Sequence, residues 1–279
     1  MSIKNEFTIL NNDLKMPILG LGTYKVKDYR DLDLSVKTAL EIGYRHIDTA
    51  SFYENEEALG KIIKESSVNR DDLFIATKLW NTDHGYEKTI NAFNSSLKKL
   101  KTDYVDLYLI HWPNPNHKET WRAMEKLYRD GYIKAIGVSN YKVHHIKELT
   151  NNFEITPAVN QIEFHPELVQ SELMDFCKNE KIQVEAWSPL MRGKIFGIEL
   201  FKELSKKYNK SISQIVLRWD IQMGTSTIPK SIKPERIKEN SEIFDFVISD
   251  EDMKKISSLN INKRISHDPD DLYTGKFVF

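Results

Sequence analysis

The chain has 279 residues, of which 40% are hydrophobic and 29% are charged, and its formal net charge is -1. This length suits a single α/β barrel spanning residues 1–279, and the near-neutral charge argues against a nucleic-acid-binding protein, which is usually basic. No apolar run approaches the ~18 residues of a membrane span, and residues 1–7 contain no apolar targeting segment, so we expect a cytoplasmic protein without membrane contact. The single cysteine, Cys177, excludes an internal disulfide, and its apolar neighbours predict a buried, inert thiol.

The first predicted element is a β-hairpin over residues 7–16, with Asn11, Asn12 and Asp13 in the turn. From residue 18 onward, short β-prone runs alternate with stretches of helical length, as in parallel strands joined by crossover helices. Eight strands are predicted, at residues 18–22, 46–49, 73–79, 105–111, 135–139, 158–163, 183–188 and 225–229.

The intervening stretches have apolar residues at helical spacing, such as Leu34, Ala39 and Leu40 in the first, and Ile90, Phe93, Leu97 and Leu100 in the third. Two helices, 198–208 and 213–223, precede the eighth strand, and a further helix begins after Ser249. The predicted fold is therefore an α/β (β/α)8 TIM barrel with an N-terminal hairpin and two extra helices.

Polar side chains stand at the ends of three neighbouring predicted strands, where a barrel of this kind carries its active site. Asp48 ends the second strand and Tyr53 follows it, Lys78 lies near the end of the third, and His111 ends the fourth. A lysine in an apolar strand needs a carboxylate partner, and Asp48 on the adjacent strand can supply it. A buried structural ion pair and a core histidine would explain one or two of these residues, but not all four.

These four residue types fit the reduction of a carbonyl group. Tyr53, with a pKa near its usual ~10, is neutral at pH 7 and can donate a proton, and the Lys78 cation would stabilise the phenolate left behind. Asp48 would hold Lys78, and His111 would hydrogen-bond the substrate oxygen. Hydride must come from a nicotinamide cofactor, because no side chain can supply it.

The chain lacks the third glycine of the dinucleotide fingerprint after Gly20 and Gly22, and it has no P-loop. Polar residues at the later strand ends could hold a carboxamide and phosphates instead: Ser139, Asn140, Gln161 and Ser188, the last of which is followed by Pro189 and Leu190. After the eighth strand, Lys230, Ser231 and Arg236 could converge near a helix that begins at Pro234, where an anion is favoured. Taken alone, Lys230 or Arg236 would be interpreted as a solvated cation on the surface.

At these positions the sequence resembles the aldo-keto reductases. The matching motifs are residues 43–50 with Tyr53, 77–80, 106–113, 137–140, 159–161 and 228–231 with Arg236 and Asn240. The resemblance implies a (β/α)8 barrel that reduces aldehydes or ketones with NADPH, and it assigns Asp48, Tyr53, Lys78 and His111 as the catalytic residues. It also implies a cofactor set and a substrate set. The cofactor set is Thr23, Tyr24, Asp48, Ser139, Asn140, Gln161, Ser188, Leu190, Lys230, Ser231, Arg236, Glu239 and Asn240, together with a stacking tyrosine or tryptophan. The substrate set is Tyr24, Trp80, His111 and Trp112.

Three features depart from the family's usual pattern. Tyr24 stands where many mammalian members carry a tryptophan, and the tail over residues 262–279 is short. Lys233 stands where a Ser or Thr cap is usual, which leaves the start of that helix poorly capped unless Ser231 substitutes. Residues 267–271 resemble prokaryotic members similar to glyoxal, methylglyoxal and 2,5-diketo-gluconate reductases. A short tail implies an open pocket, so we expect small or promiscuous carbonyl substrates such as methylglyoxal, aromatic aldehydes and keto sugars, rather than steroids.

Two other functions remain open at this point. Glu163 and Glu185 could be the carboxylate pair of a glycosidase. Alternatively, the protein could bind NADPH as a sensor without turnover, although a mere binder would have little need of the four catalytic residues.

The histidines His84, His117, His144 and His145 lack ligand spacing, so we interpret them as surface residues and expect no metal. Analogy with family members suggests a monomer.

Overall fold

The computed structural model describes residue 3 and residues 6–274, and an antiparallel hairpin comes first. β1 (Phe7–Ile9) pairs with β2 (Lys15–Pro17), and Asp13 in the turn adopts a φ of 66°, which short polar residues tolerate. Leu10 and Met16 are buried against residues of the central barrel strands, such as Leu107. The predicted hairpin is confirmed, and it closes one end of the barrel.

The central sheet has eight parallel strands in sequential order, which confirms the predicted (β/α)8 barrel. They are β3 (Gly20–Gly22), β4 (His46–Asp48), β5 (Phe74–Leu79), β6 (Val105–Ile110), β7 (Ile133–Ser139), β8 (Val159–Glu163), β9 (Gln183–Trp187) and β10 (Ser226–Thr227). The barrel closes between β10 and β3, because Thr227 N donates to Ile18 O at 2.9 Å and Gly22 N donates to Pro229 O at 3.3 Å. Closure gives hydrogen-bond partners to backbone groups of β3 and β10, which would be unpaired edge strands in an open sheet.

Helices follow the strands around the barrel. They are α1 (Tyr29–Ile42), α2 (Glu56–Glu65), α3 (Tyr86–Leu100), α4 (His117–Arg129), α5 (Val143–Thr150), α6 (Ser171–Asn179), α7 (Glu199–Tyr208), α8 (Ile212–Gln222), α9 (Pro234–Ser241), α10 (Asp250–Ser257) and α11 (Pro269–Tyr273). The predicted pair before the last strand corresponds to α7 and α8, and Ser249 caps α10 by accepting from Asp252 N. The short α11 was not predicted, although Asp268 at its N-cap and Pro269 at its first position are typical start signals.

One residue that was predicted to lie on the buried face of a helix is exposed in the structure. Leu34 is 48% exposed, whereas Leu32, Val36 and Ala39 are buried. The buried stripe of α1 follows the spacing i, i+4, i+7, so Leu34 falls on the solvent side of the helix.

Cys177 is buried in α6, as predicted, and burial raises the pKa of its thiol to about 12. Within the described ranges, no helix combines the length and the apolar character needed to cross a membrane. The prediction that residues 1–7 contain no apolar targeting segment concerns residues 1, 2, 4 and 5, which lie outside the described residues. The prediction about the tail over residues 262–279 includes residues 275–279, which also lie outside them.

Candidate active site

A buried ion pair lies at the carboxyl end of the barrel strands. Lys78 Nζ, on β5, lies 2.7 and 2.6 Å from the two carboxylate oxygens of Asp48 at the end of β4. It also donates to Thr49 O at 2.9 Å, and its side chain is fully buried. The ammonium group is thus paired with a carboxylate and hydrogen-bonded to a backbone carbonyl, which is how a buried cation is tolerated.

Tyr53 reaches this pair because a 3-10 turn, Ser51–Tyr53, follows the end of β4. Ser51 Oγ donates to Lys78 O at 3.0 Å, and Glu54 ends the turn with a φ of 59°. The turn directs the phenol back over β5, so that Tyr53 Oη lies 3.3 Å from Lys78 Nζ. The contact joins residues from two neighbouring strand ends, as the sequence predicted.

The pKa of Tyr53 differs from the expected value near 10. Burial raises it well above that value, and the negative charge of Asp48 raises it further. The physical reason is that Asp48 neutralises Lys78, so the lysine does not act as an isolated cation beside the phenol. Tyr53 is therefore a neutral phenol that holds its proton firmly.

His111 stands beside the phenol at the end of β6. Its ring centroid lies 5.7 Å from that of Tyr53, and burial lowers its pKa well below 6.5, with the positive charge of Lys78 adding to the effect. The ring is thus neutral near pH 7, which leaves one N–H donor and one acceptor. Such a ring can hydrogen-bond a carbonyl oxygen without introducing a second charge.

Aromatic side chains surround the phenol and the imidazole. Trp80 stacks on Phe52 with ring centroids 3.8 Å apart, and its ring lies 5.1 Å from that of His111. Tyr24 is 41% exposed, and its ring lies 5.0 Å from the Tyr53 ring. These predicted substrate residues therefore lie close together, and Trp112, also predicted, follows His111 and is nearly buried.

A second set of polar groups continues from the ion pair across β7, β8 and β9. Ser139 Oγ donates to Gln161 O at 2.8 Å, and Asn140 Nδ2 donates to His111 O at 2.9 Å. Trp187 Nε1, at the end of β9, donates to Asn140 Oδ1 at 2.9 Å. The predicted amide-binding residues thus lie together. Trp187 was not assigned a role from the sequence, although an aromatic residue directly before Ser188 could have indicated one.

Thr23 belongs to the same end of the barrel. It is buried, and its Oγ1 donates to Asp48 O at 2.8 Å. Asn55, which the sequence did not single out, donates to Thr23 O at 3.0 Å and accepts from Thr49 Oγ1 at 2.6 Å. This amide therefore ties the segment after β3 to the end of β4.

The remaining predicted cofactor residues lie after β9 and β10. Ser188 has a φ of 54° in the turn after β9 and is followed by a half-buried Leu190. Beyond β10, Lys230 and Arg236 are exposed and Ser231 and Asn240 are buried, while the carboxylate of Glu239 accepts from Ser211 Oγ. No side chain caps α9, and Ser231 Oγ accepts only from Lys233 N, the amide before the helix. With Lys233 at its N-cap position, α9 therefore begins without a side-chain cap.

The two glutamates of the glycosidase hypothesis have other partners. The carboxylate of Glu163 accepts from the backbone amides of Ile265 at 2.5 Å and Ser266 at 3.2 Å. His165 Nε2 lies 3.0 Å from Glu163 Oε1. Glu185 is fully buried and accepts from Gln161 Nε2 at 2.6 Å. Neither carboxylate is exposed at the barrel mouth, so the pair does not form a hydrolytic site.

Most of the histidines interpreted as surface residues are buried, and that prediction was wrong. His84, His117 and His145 are at most 5% exposed, and only His144 is exposed. Tertiary contacts bury them: His84 lies 3.2 Å from Thr120 Oγ1, and His117 lies 3.3 Å from Tyr141 Oη.

These buried histidines predict a loss of stability in mild acid. Burial lowers the pKa of His84 to about 3. Its pKa in the unfolded chain is ~6.5, so the unfolded state takes up a proton first and stability falls as the pH drops below that value. Between pH 6.5 and 5 one such histidine contributes a loss of roughly 2 kcal/mol. Urea unfolding at both pH values should show a smaller loss in His84→Gln than in the unmodified protein, and an identical loss would contradict this assignment.

A further cluster joins α5 to α11. The Nε2 atoms of His144 and His145 lie 2.9 and 3.2 Å from Asp270 Oδ1, and Lys142 Nζ lies 2.6 Å from Asp270 Oδ2. Lys142 N donates to His145 Nδ1 at 3.1 Å, so the neutral ring carries its proton on Nε2. A metal ion would need the lone pair of that nitrogen. The cluster is therefore an ion-paired contact that holds α11 on α5.

The chain is similar to known proteins over most of its length. The model of the Aldo/keto reductase family matches residues 18–261. The chain is 55% identical to glyoxal reductase of Bacillus subtilis (strain 168), over 94% of this chain and 96% of that protein, and 44% identical to the methylglyoxal reductase DkgA of Escherichia coli (strain K12), over 91% and 94%. A crystal structure of a Bombyx mori aldo-keto reductase in complex with NADP superimposes with a TM-score of 0.89 at 36% identity, covering 95% of this chain and 96% of that one. The chain belongs to the aldo/keto reductase family.

Proposed function

We propose that this protein reduces small aldehydes and ketones to alcohols with NADPH as the hydride donor and Tyr53 as the proton donor. The observation that carries the proposal is the phenol of Tyr53 at 3.3 Å from Lys78 Nζ, next to the neutral ring of His111. Methylglyoxal, aromatic aldehydes and keto sugars are the substrates we expect.

The chain's own residues would act on the carbonyl oxygen. His111 orients it by donating a hydrogen bond, and Tyr53 supplies the proton that the oxygen needs once hydride has reached the carbon. An alkoxide is more basic than a phenolate, so the transfer is favourable even from a phenol whose pKa is raised. Asp48 holds Lys78 in place, and Lys78 Nζ, 3.3 Å from Tyr53 Oη, can donate a hydrogen bond to the phenolate that forms.

NADPH, when bound, supplies the hydride, and the described residues suit its two ends. Ser139, Asn140 and Gln161 present hydrogen-bonding groups beside the ion pair, where a carboxamide would be held. Around α9, the exposed Lys230 and Arg236 have no ion-pair partner among the described residues, and no side chain caps the helix. Cations and free amide groups at a helix N-terminus favour a phosphate.

The first experiment is a fluorescence titration of the purified protein with NADPH, followed by absorbance at the nicotinamide band after a carbonyl compound is added. We expect binding, and faster turnover of methylglyoxal and an aromatic aldehyde than of a bulky steroid ketone. Binding without turnover of any aldehyde in the panel would favour a sensor, and comparable turnover of the steroid would contradict the substrate class.

Arg236 should determine the preference for the phosphorylated cofactor. Arg236→Ala should raise the dissociation constant for NADPH about tenfold or more, because a charge-assisted contact to phosphate is lost, while that for NADH stays unchanged. Lys238→Ala is the matched control, since this exposed lysine lies two positions further along α9 and faces another direction. Equal weakening of both cofactors in Arg236→Ala would exclude a phosphate contact.

A further inference from the structure

The amide of Gln161 lies between two buried carboxylates. Its Nε2 donates to Asp48 Oδ2 at 2.8 Å and to Glu185 Oε2 at 2.6 Å, and all three side chains are at most 2% exposed. Gln161 on β8 is paired in register with Glu185 on β9, so the contact to Glu185 is built into the sheet. A primary amide has two N–H donors, and both are used here.

This arrangement determines which way the amide faces. Rotating it by 180° would bring its oxygen against two carboxylate oxygens, which repel it and offer no donor. The NH2 group must therefore face Asp48 and Glu185. Among the described residues none donates to Gln161 Oε1, so this oxygen is left as a free acceptor beside the catalytic residues.

Glu185 is in turn held from both sides. Ser226 Oγ on β10 donates to its Oε1 at 3.3 Å, and His46 Nδ1 on β4 lies 3.6 Å from the same oxygen. With no exposed surface, Glu185 cannot contact a ligand in the pocket itself. Its other oxygen, Oε2, accepts from Gln161 Nε2. Glu185 can therefore affect a bound ligand only by orienting the amide of Gln161.

We propose that Glu185 is a positioning residue that holds Gln161 with its oxygen toward the cofactor, so that the site selects a carboxamide by accepting from its NH2 group. This inference rests on the proposed NADPH-dependent function and adds a residue that does not touch the cofactor. A nicotinamide ring whose carboxamide is replaced by an acetyl group keeps the carbonyl oxygen but has no N–H to offer Gln161 Oε1.

The test compares the dissociation constants of NADP⁺ and its 3-acetylpyridine analogue by titration calorimetry, which requires no turnover. The unmodified protein should bind NADP⁺ about tenfold more tightly than the analogue, because the analogue leaves Gln161 Oε1 without a donor. Glu185→Met removes the acceptor at similar side-chain length, and Glu185→Gln keeps the shape without the charge. The preference should fall about fivefold in Glu185→Met and by a smaller factor in Glu185→Gln.

The ratio of the two constants separates positioning from general damage, since a distorted pocket weakens both ligands alike. Asp220→Asn is the matched control: this fully buried carboxylate accepts from Thr227 Oγ1 at 2.9 Å, so its substitution should leave the ratio unchanged. An unchanged ratio in both Glu185 variants would overturn the inference, and Glu185→Gln alone decides the matter if Glu185→Met does not fold. Failure of the unmodified protein to bind NADP⁺ would instead contradict the proposed function.

Discussion

Tyr53→Phe should lower kcat for carbonyl reduction by about 10²- to 10⁴-fold, the usual contribution of a positioned proton donor. The substitution removes only the hydroxyl that lies 3.3 Å from Lys78 Nζ and leaves the ring between Tyr24 and His111. NADPH binding should therefore persist. Stopped-flow measurement of cofactor oxidation, together with fluorescence titration, checks both parts.

Tyr108→Phe is the matched control for this substitution. Tyr108 is a fully buried tyrosine on β6, and no described residue forms a hydrogen bond with its hydroxyl. Its loss should leave kcat unchanged. If Tyr53→Phe retained more than a tenth of the activity, another group would have to be the proton donor.

Lys78→Met should produce the largest loss of stability and also abolish turnover. It leaves the Asp48 carboxylate buried without its cation, and breaking a buried pair in this way costs about 3–5 kcal/mol. For a chain of this size that loss corresponds to a fall in Tm on the order of 10 °C. Thermal unfolding and urea titration measure it.

Two further variants distinguish this mechanism from a simple loss of packing. The double variant Asp48→Asn with Lys78→Met removes both charges, so it should recover part of the lost stability but none of the activity. Lys27→Met removes one partner of an exposed pair, Lys27 with Glu54 at 2.7 Å, and should leave the stability nearly unchanged because solvent screens the pair. A double variant no more stable than Lys78→Met would indicate that the charge of Asp48 is not the cause.

The sequence alone determined the fold and the four candidate catalytic residues. Eight β-prone runs separated by helical stretches allow few other arrangements in a chain of this length, and β3 to β10 match them with small shifts at the ends. Asp48, Lys78 and His111 were recognisable because each is a polar side chain at the end of a strand that otherwise requires apolar residues.

Only the tertiary structure decided the electrostatic state and the partners of these groups. The raised pKa of Tyr53 depends on burial by distant segments and on Asp48 neutralising Lys78, neither of which has a local pattern. Likewise, the position of Glu163 in the sequence is compatible with a hydrolytic carboxylate. The structure shows instead that the backbone amides of Ile265 and Ser266 donate to this carboxylate. Strand periodicity is a local property of the chain, whereas solvent exclusion and the pairing of Gln161 with Asp48, 113 residues away, exist only after the barrel has closed.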